Sequence, residues 1–243
     1  MQLDPDDIED FIDRALEEDI GRGDLTTNIT IPADAVFQAS MVAREEIVVC
    51  GIDIAMQTFE MMVDDFEGVK KVEDGAKVAK GTILATVSGN ARSILAAERT
   101  ALNILQHLSG ISTEVRKYVE AVEGTPATMI DTRKTIPTLR NLAKYASFTG
   151  GARNHRIRLD DGVLIKDNHI AAAGSLTATV ERAQRATPAL TVIEVECDTL
   201  EQVAEAAASK VDMILLDNME ASMMKQAVEI VAGRCRIECS GGV

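Results

Sequence analysis

The chain has 243 residues, of which 46% are hydrophobic and 26% charged, and it carries a formal net charge of −14. That length can bury a substantial core as one large or two modest domains, and the composition is that of an ordinary soluble globular protein. No apolar run reaches a membrane span, the acidic amphipathic start is no signal peptide, and a pI near 4.7 argues against nucleic acid as partner.

In chain order, Asp6 and Asp7 after Pro5 open a helix with Ile8, Phe11, Ile12, Ala15 and Leu16 at helical spacing. It ends near Gly21–Gly23, and GDLTT follows as a turn. From Ala35 to Ser88 short β-branched runs predict strands, with glycines where turns need positive φ. DGAKVAKGTILATVSG resembles the hammerhead hairpin of lipoyl-like β-sandwich domains, but its turn lacks the lysine setting of a carrier, so it reads as scaffold. A helix is expected from near Ser93 to about His107, with a break at Gly110, and STEVRKYVEAVEG gives a second helical run. Beyond Gly124 the rhythm is strand, loop, helix. Apolar runs close on Asp131, Lys166, Glu196, Asp217 and Glu238, with helical patterns between the later ones. This spacing suits βα units of a parallel barrel.

The four cysteines (Cys50, Cys197, Cys235 and Cys239) are scattered and read as cytosolic thiols, which places the protein in the cytoplasm. Cys235 and Cys239 supply only two of the four ligands that a structural zinc site needs.

Charge is unevenly distributed. From Asp131 to Lys166 there are eight Lys or Arg against three Asp, a balance of +5, while the other 207 residues carry −19. Like charges so close repel one another, and such a cluster normally has an anion to meet. In a βα barrel the C-terminal strand ends converge on the active site, where charges are costly unless paired with substrate, metal or one another. The basic set is Arg133, Lys134, His155, Arg156 and Lys166, with Arg140, Arg153 and Arg158 as weaker candidates. Glu196 and Asp217 on neighbouring strands suit either acid–base work or Mg²⁺. Beside so many cations, unshifted carboxylates that bind a metal are the better reading. Ser240, Gly241 and Gly242 offer backbone N–H groups of the kind that hold a phosphate. His107 and His169 are read as structural.

Several long, ordered stretches carry a resemblance: EEDIGRGDLTT, AAERTALNILQHLSGIST, DTRKTIPTLRNLAKYA, GGARNHRIRLDDGVLIKDNHI, the IEVE and LLDN strand ends, and ECSGGV. Together they resemble the quinolinate phosphoribosyltransferase family over almost the whole chain. The resemblance implies an α/β protein. An N-terminal α/β sandwich with lipoyl-like hammerhead strands (1–109) precedes an open, incomplete α/β barrel (110–243). It also implies a homodimer, or a multiple of it, with shared active sites. The implied reaction joins quinolinate to 5-phosphoribosyl-1-pyrophosphate with Mg²⁺, and releases nicotinate mononucleotide, pyrophosphate and CO₂. By the same resemblance, Arg133, His155, Arg156 and Lys166 grip the quinolinate carboxylates, and Thr132 lies beside them. Arg99 reaches the neighbouring subunit's site, and Lys134 lies near the pyrophosphate. Glu196 and Asp217 hold Mg²⁺ and the ribose hydroxyls, with Lys134, Glu196 and Asp217 as the catalytic set. Ser240 and Gly241 hold the 5′-phosphate. Glu194 shares a strand face with Glu196 and is left as a second-layer partner.

Two departures from the family pattern stand out. Ile136 and Thr138 occupy positions where members often carry a Pro–Gly step with a smaller residue before it, so the loop there is expected to move differently. Members also continue for a few tens of residues past the SGG segment, which suggests that a C-terminal end is missing. Three rival readings explain less. A nicotinate-using enzyme needs fewer cations, a non-catalytic homologue diverges within the TRK and NHR segments that are intact here, and a carrier leaves the barrel unexplained.

Overall fold

The computed structural model describes residues Met1–Gly241; Gly242, the third residue of the SGG segment, lies outside the described residues. The chain forms two compact units, Met1–Ile157 and Arg158 onward.

The first unit begins with α1 (Pro5–Ile20), capped by the Asp4 side chain and buried along Ile8, Ile12 and Leu16. The stretch expected to be a turn is instead a short helix, α2 (Leu25–Thr30). Asp24 accepts from the Thr27 amide at 3.0 Å and from the Thr27 hydroxyl, and these bonds hold its carboxyl below the usual range. An acidic side chain that takes up an orphan amide in the first turn is what starts a helix. Then come β1 (Val36–Val42), β2 (Ile47–Val48), α3 (Ile52–Glu60), β3 (Glu67–Lys70), β4 (Lys77–Val78) and β5 (Ile83–Asn90). These strands make an antiparallel sheet in the order β1-β5-β3 and a small β2-β4 pair.

Helix α3 lies inside the region read as strands. It buries Ile52, Ala55 and Phe59 at helical spacing, and its first amides are capped from a distant turn. Asp74 accepts from Gly51 N at 2.8 Å and Ile52 N at 3.0 Å, and also from the Tyr145 hydroxyl at 2.7 Å. The cap is therefore non-local, and no pattern adjacent to the helix announces it.

The long helix α4 (Ala91–Ala121) corrects the expected break at Gly110, because it runs unbroken for 31 residues. A glycine inside a helix costs about 1 kcal/mol relative to alanine. Here the flanking side chains offset that cost. Cys50 N donates to Ser109 Oγ at 3.0 Å, Ser112 Oγ donates to Val48 O at 2.6 Å, and Val48 N donates to Thr113 Oγ1 at 2.8 Å. Val48 of β2 and Cys50 just beyond it are thus hydrogen-bonded to the helix on either side of Gly110. The boundary drawn between residues 109 and 110 falls inside α4. The unit closes with α5 (Arg140–Thr149), which seats Leu142 and Ala146 in the same core as α1, α3 and α4.

The second unit holds β6 (Val163–Ile165), α6 (Asp167–Ala173), α7 (Leu176–Ala186), β7 (Ile193–Cys197), α8 (Leu200–Ala208), β8 (Met213–Asp217), α9 (Ala221–Val231) and β9 (Arg236–Ser240). The four strands pair in parallel in the order β6-β7-β8-β9. The fold is α/β with a parallel sheet, as the spacing of apolar runs predicts. The run ending at Asp131 makes no strand; only an isolated parallel bridge joins Ile130 to Arg153. Ile165, Ile193, Val195, Cys197, Ile214 and Leu216 pack with Leu176, Val180, Val203 and Ala227 of the helices. No helix among the described residues is long and apolar enough to cross a membrane.

Candidate functional site

In the first unit the candidate cations sit on two loops tied to one carboxylate. Asp131, with 8% of its side chain exposed, pairs with Lys144 of α5, of which 1% is exposed. Asp131 also accepts from the His155 amide at 2.8 Å and from Asn154 Nδ2 at 2.7 Å, and its own amide donates to Arg153 O at 3.1 Å. Thr132, Arg133 and Lys134 follow Asp131 directly, and Arg156 follows His155. The Lys134 amide donates to Thr132 Oγ1 at 3.0 Å, which tightens the turn. Thr132 and Lys134 are exposed and line a hollow of about 240 Å³ together with His107, Ile111, Leu139 and Lys144. Arg133 is half-buried, and its Nε is buried without a hydrogen-bond acceptor among the described residues. Arg140 Nε donates to Thr135 Oγ1 at 3.3 Å.

Arg99 is exposed on α4, eight residues before His107 and so about 12 Å away along the helix axis. It does not line the hollow. His107, read as structural, is exposed there instead. Thr138 adopts φ +70°. For a β-branched residue the left-handed region costs about 1–2 kcal/mol, so this turn is held under strain.

In the second unit the remaining candidates stand at the C-terminal ends of adjacent strands. The register aligns Glu196 with Leu215 and Glu238, and Asp217 with Ser240. Residues aligned across parallel strands, and every second residue along each, face the same side. One face therefore carries Glu194, Glu196, Asp217, Glu238 and Ser240, and the other carries the apolar residues packed under the helices. Lys166, the next residue after β6, forms an ion pair with Glu196; their side chains are 43% and 13% exposed. Two residues with different expected roles thus meet. Glu194 is buried on the same strand. His169 is structural as read, since its Nδ1 accepts from the Lys166 amide at 2.9 Å and ties down the first turn of α6. Arg158 engages neighbouring acids, with its amide donating to Asp161 at 3.1 Å and Nε at 3.7 Å from Asp160.

Gly241 turns back at the end of β9 with φ +89°. A Cβ there would meet the Asn218 side chain and would lie 2.8 Å from its backbone N. Asn218 is itself left-handed at φ 52°; its amide donates to Ser240 O at 2.9 Å and its Nδ2 to Asp217 at 2.8 Å. The ends of β8 and β9 are locked together, and only glycine fits at position 241.

An α/β unit with polar residues collected at the C-terminal ends of parallel strands is the architecture of a small-molecule enzyme that handles charged substrates. Comparison with known proteins narrows this. The N-terminal domain of quinolinate phosphoribosyl transferase matches residues 24–109, and the C-terminal domain of the same family matches residues 111–243. The chain belongs to the quinolinate phosphoribosyl transferase family. It is 45% identical over 244 residues to a nicotinate-nucleotide pyrophosphorylase [carboxylating] of Mycobacterium leprae, covering 98% of this chain and 86% of that one. A probable enzyme of the same name from Synechocystis is 44% identical over 239 residues, covering 97% of this chain and 81% of that one. Among solved structures, the nicotinate-nucleotide pyrophosphorylase of Francisella tularensis superposes with a TM-score of 0.95 at 36% identity, covering 100% of this chain and 85% of that one.

The face assignment can be checked chemically. Cys197 alternates with Glu196 and points into the apolar layer, where burial first and the nearby Asp198 second push its thiol up to about 12. Burial does the same to Cys50, also to about 12. At pH 8 a thiol of that acidity is ionised on the order of 10⁻⁴, and the thiolate is the reactive form. In native protein, Cys50 and Cys197 are expected to resist an aromatic disulfide reagent and to react only as urea unfolds the chain. Rapid labelling of Cys197 in the folded state, read by peptide mass, would reverse the two faces of β7.

Proposed function

We propose that this chain carries out the reaction for which its family is named: quinolinate and 5-phosphoribosyl-1-pyrophosphate give nicotinate mononucleotide, pyrophosphate and CO₂, a step of NAD biosynthesis. The observation that supports this most directly is Arg133. A guanidinium nitrogen held in the interior without an acceptor is suited to a bidentate anion such as a carboxylate. Arg133, His155, Arg156 and Lys166, with Thr132, take the two carboxylates of quinolinate. Lys134 faces the pyrophosphate, and Ser240 and Gly241 take the 5′-phosphate at the glycine turn.

The donor set of the second unit fits Mg²⁺. Glu196 and Asp217 are hard oxygen donors on neighbouring strands and one two-residue step apart, and Cys197 is directed to the other face. Mg²⁺ commonly takes one or two carboxylates and completes its shell with water and substrate phosphate. When bound, it neutralises charge on the departing pyrophosphate. Glu196 and Asp217 also orient the ribose hydroxyls, and Lys134 stabilises the leaving group's charge as C1 becomes cationic. The pyridine nitrogen attacks C1, and its new positive charge then stabilises the electron pair left when the adjacent carboxylate departs as CO₂. No side-chain nucleophile is needed. The reaction is placed in the cytoplasm, in a homodimer whose partner subunit supplies Arg99.

Quinolinate offered with the sugar diphosphate should be consumed with release of CO₂, whereas nicotinate under identical conditions should be consumed at least about 100-fold more slowly, because the second carboxylate's cations are left unmatched. Equal use of the two substrates would overturn the assignment. Asp217→Asn should lower Mg²⁺-dependent turnover on the order of 100-fold while leaving quinolinate binding intact. A shifted pH–rate profile with an unchanged Mg²⁺ requirement would instead make the acids proton carriers. Finally, inactive Arg99→Ala and Lys166→Ala subunits, mixed and allowed to exchange, should recover roughly a quarter of wild-type activity, since half the dimers are mixed and each holds one intact site. Demonstrated exchange without recovery would place Arg99 outside the partner's site.

A further inference from the structure

We propose that Lys144 is a positioning residue: by neutralising Asp131 inside the protein, it keeps Arg133 and Lys134 available to the substrate's anions. The inference rests on the functional reading above and deepens it. An ammonium with 1% of its side chain exposed is rare in a protein interior, where charge survives only when it is paired and hydrogen-bonded. Lys144 Nζ donates to Asp131 Oδ1 and, at 3.0 Å, to His155 O. Asn154 Nδ2 joins Asp131 Oδ2 at 2.7 Å to Lys144 O at 2.9 Å. Asp131 is thus occupied on both oxygens by groups from α5 and from the 153–156 loop.

Arg133 is two residues from that carboxylate, and yet its buried Nε has no acceptor among the described residues. A buried carboxylate two positions along the chain from an unsatisfied guanidinium is a ready acceptor for it, since the charged hydrogen bond is worth more than a neutral one. Lys144 has already satisfied Asp131. The internal counterion comes from a helix core, where it cannot follow a ligand, and the Arg133 Nε keeps no acceptor among the described residues. Without Lys144, Asp131 is left to be neutralised by another cation, and those nearest along the chain are Arg133 and Lys134, assigned to quinolinate and pyrophosphate. A stabilising ion pair alone would not predict this competition.

The test separates the two roles. Lys144→Met preserves length and bulk while removing the charge, and Asp131→Asn combined with Lys144→Met removes both charges. Each is measured for quinolinate affinity by calorimetry, at a temperature well below the variant's own melting point. Lys144→Met should bind quinolinate about 30-fold more weakly, and the double variant should return to within about fivefold of wild type because no carboxylate competes for Arg133. Folded Lys144→Met with wild-type affinity would overturn the inference, as would a double variant that folds yet binds as weakly as the single one. If Lys144→Met does not fold, the double variant decides alone: folded and within fivefold of wild type supports the inference, folded and without binding sinks it. Wild-type protein that does not bind quinolinate would instead sink the functional reading, and the inference with it.

Discussion

A parallel strand covered by helices on one face must bury every second side chain, and the second unit depends on that rule. Ile193, Val195 and Cys197 are fixed inward under the helices, so Glu194 and Glu196 must share the opposite side. The register carries the same division across the sheet to Asp217, Glu238 and Ser240. The acids do not need individual placement, because the packing of the apolar set places them as a group. A one-residue slip in any strand would put carboxylates into the helix layer, where an unpaired charge is prohibitive. The chemistry of the polar face is therefore protected by the hydrophobic effect on the other.

A second theme is the segregation of charge. The chain is acidic overall, so its cations are scarce and tend to be captured by the abundant carboxylates. Surface lysines such as Lys70 and Lys117 are captured in this way, with carboxylate partners at 2.6–2.7 Å that push the ammonium pKa up. Around Asp131 the fold does the opposite. It commits one buried lysine to one buried acid and leaves the Arg133 Nε without an acceptor among the described residues, while Lys166 is held by Glu196 within its own sheet.

Much of this was legible in the sequence. Apolar runs closing on Lys166, Glu196 and Asp217 gave the parallel sheet and its polar ends, because a period of two and the preference for interior packing are local properties. The ordered motifs around Arg133 and His155 pointed to the family. What escaped notice depends on partners distant along the chain. Helix α3 is capped by Asp74, 22 and 23 residues away, and sits among β-branched runs that mask its spacing. Nothing in the sequence singles out Lys144, because its burial follows from Asp131, 13 positions earlier, and from a loop that only tertiary folding brings near. Gly110 signalled a stop, and hydroxyls of the same helix acting on another strand overrode it.

That last feature bears on how such a protein can be taken apart. The two family segments meet at residues 109 and 111, yet the helix passes through the junction, with Ser109 on one side bonded to Cys50 and Ser112 and Thr113 on the other bonded to Val48. A border of inheritance is here not a border of cooperativity. Severing the chain at Gly110 would leave one fragment without the hydroxyl partners of Val48 and the other with a helix lacking its first half. Neither piece could serve as an exchangeable module. Recombination between relatives should therefore tolerate crossovers in the loops flanking α4 far better than at the seam itself.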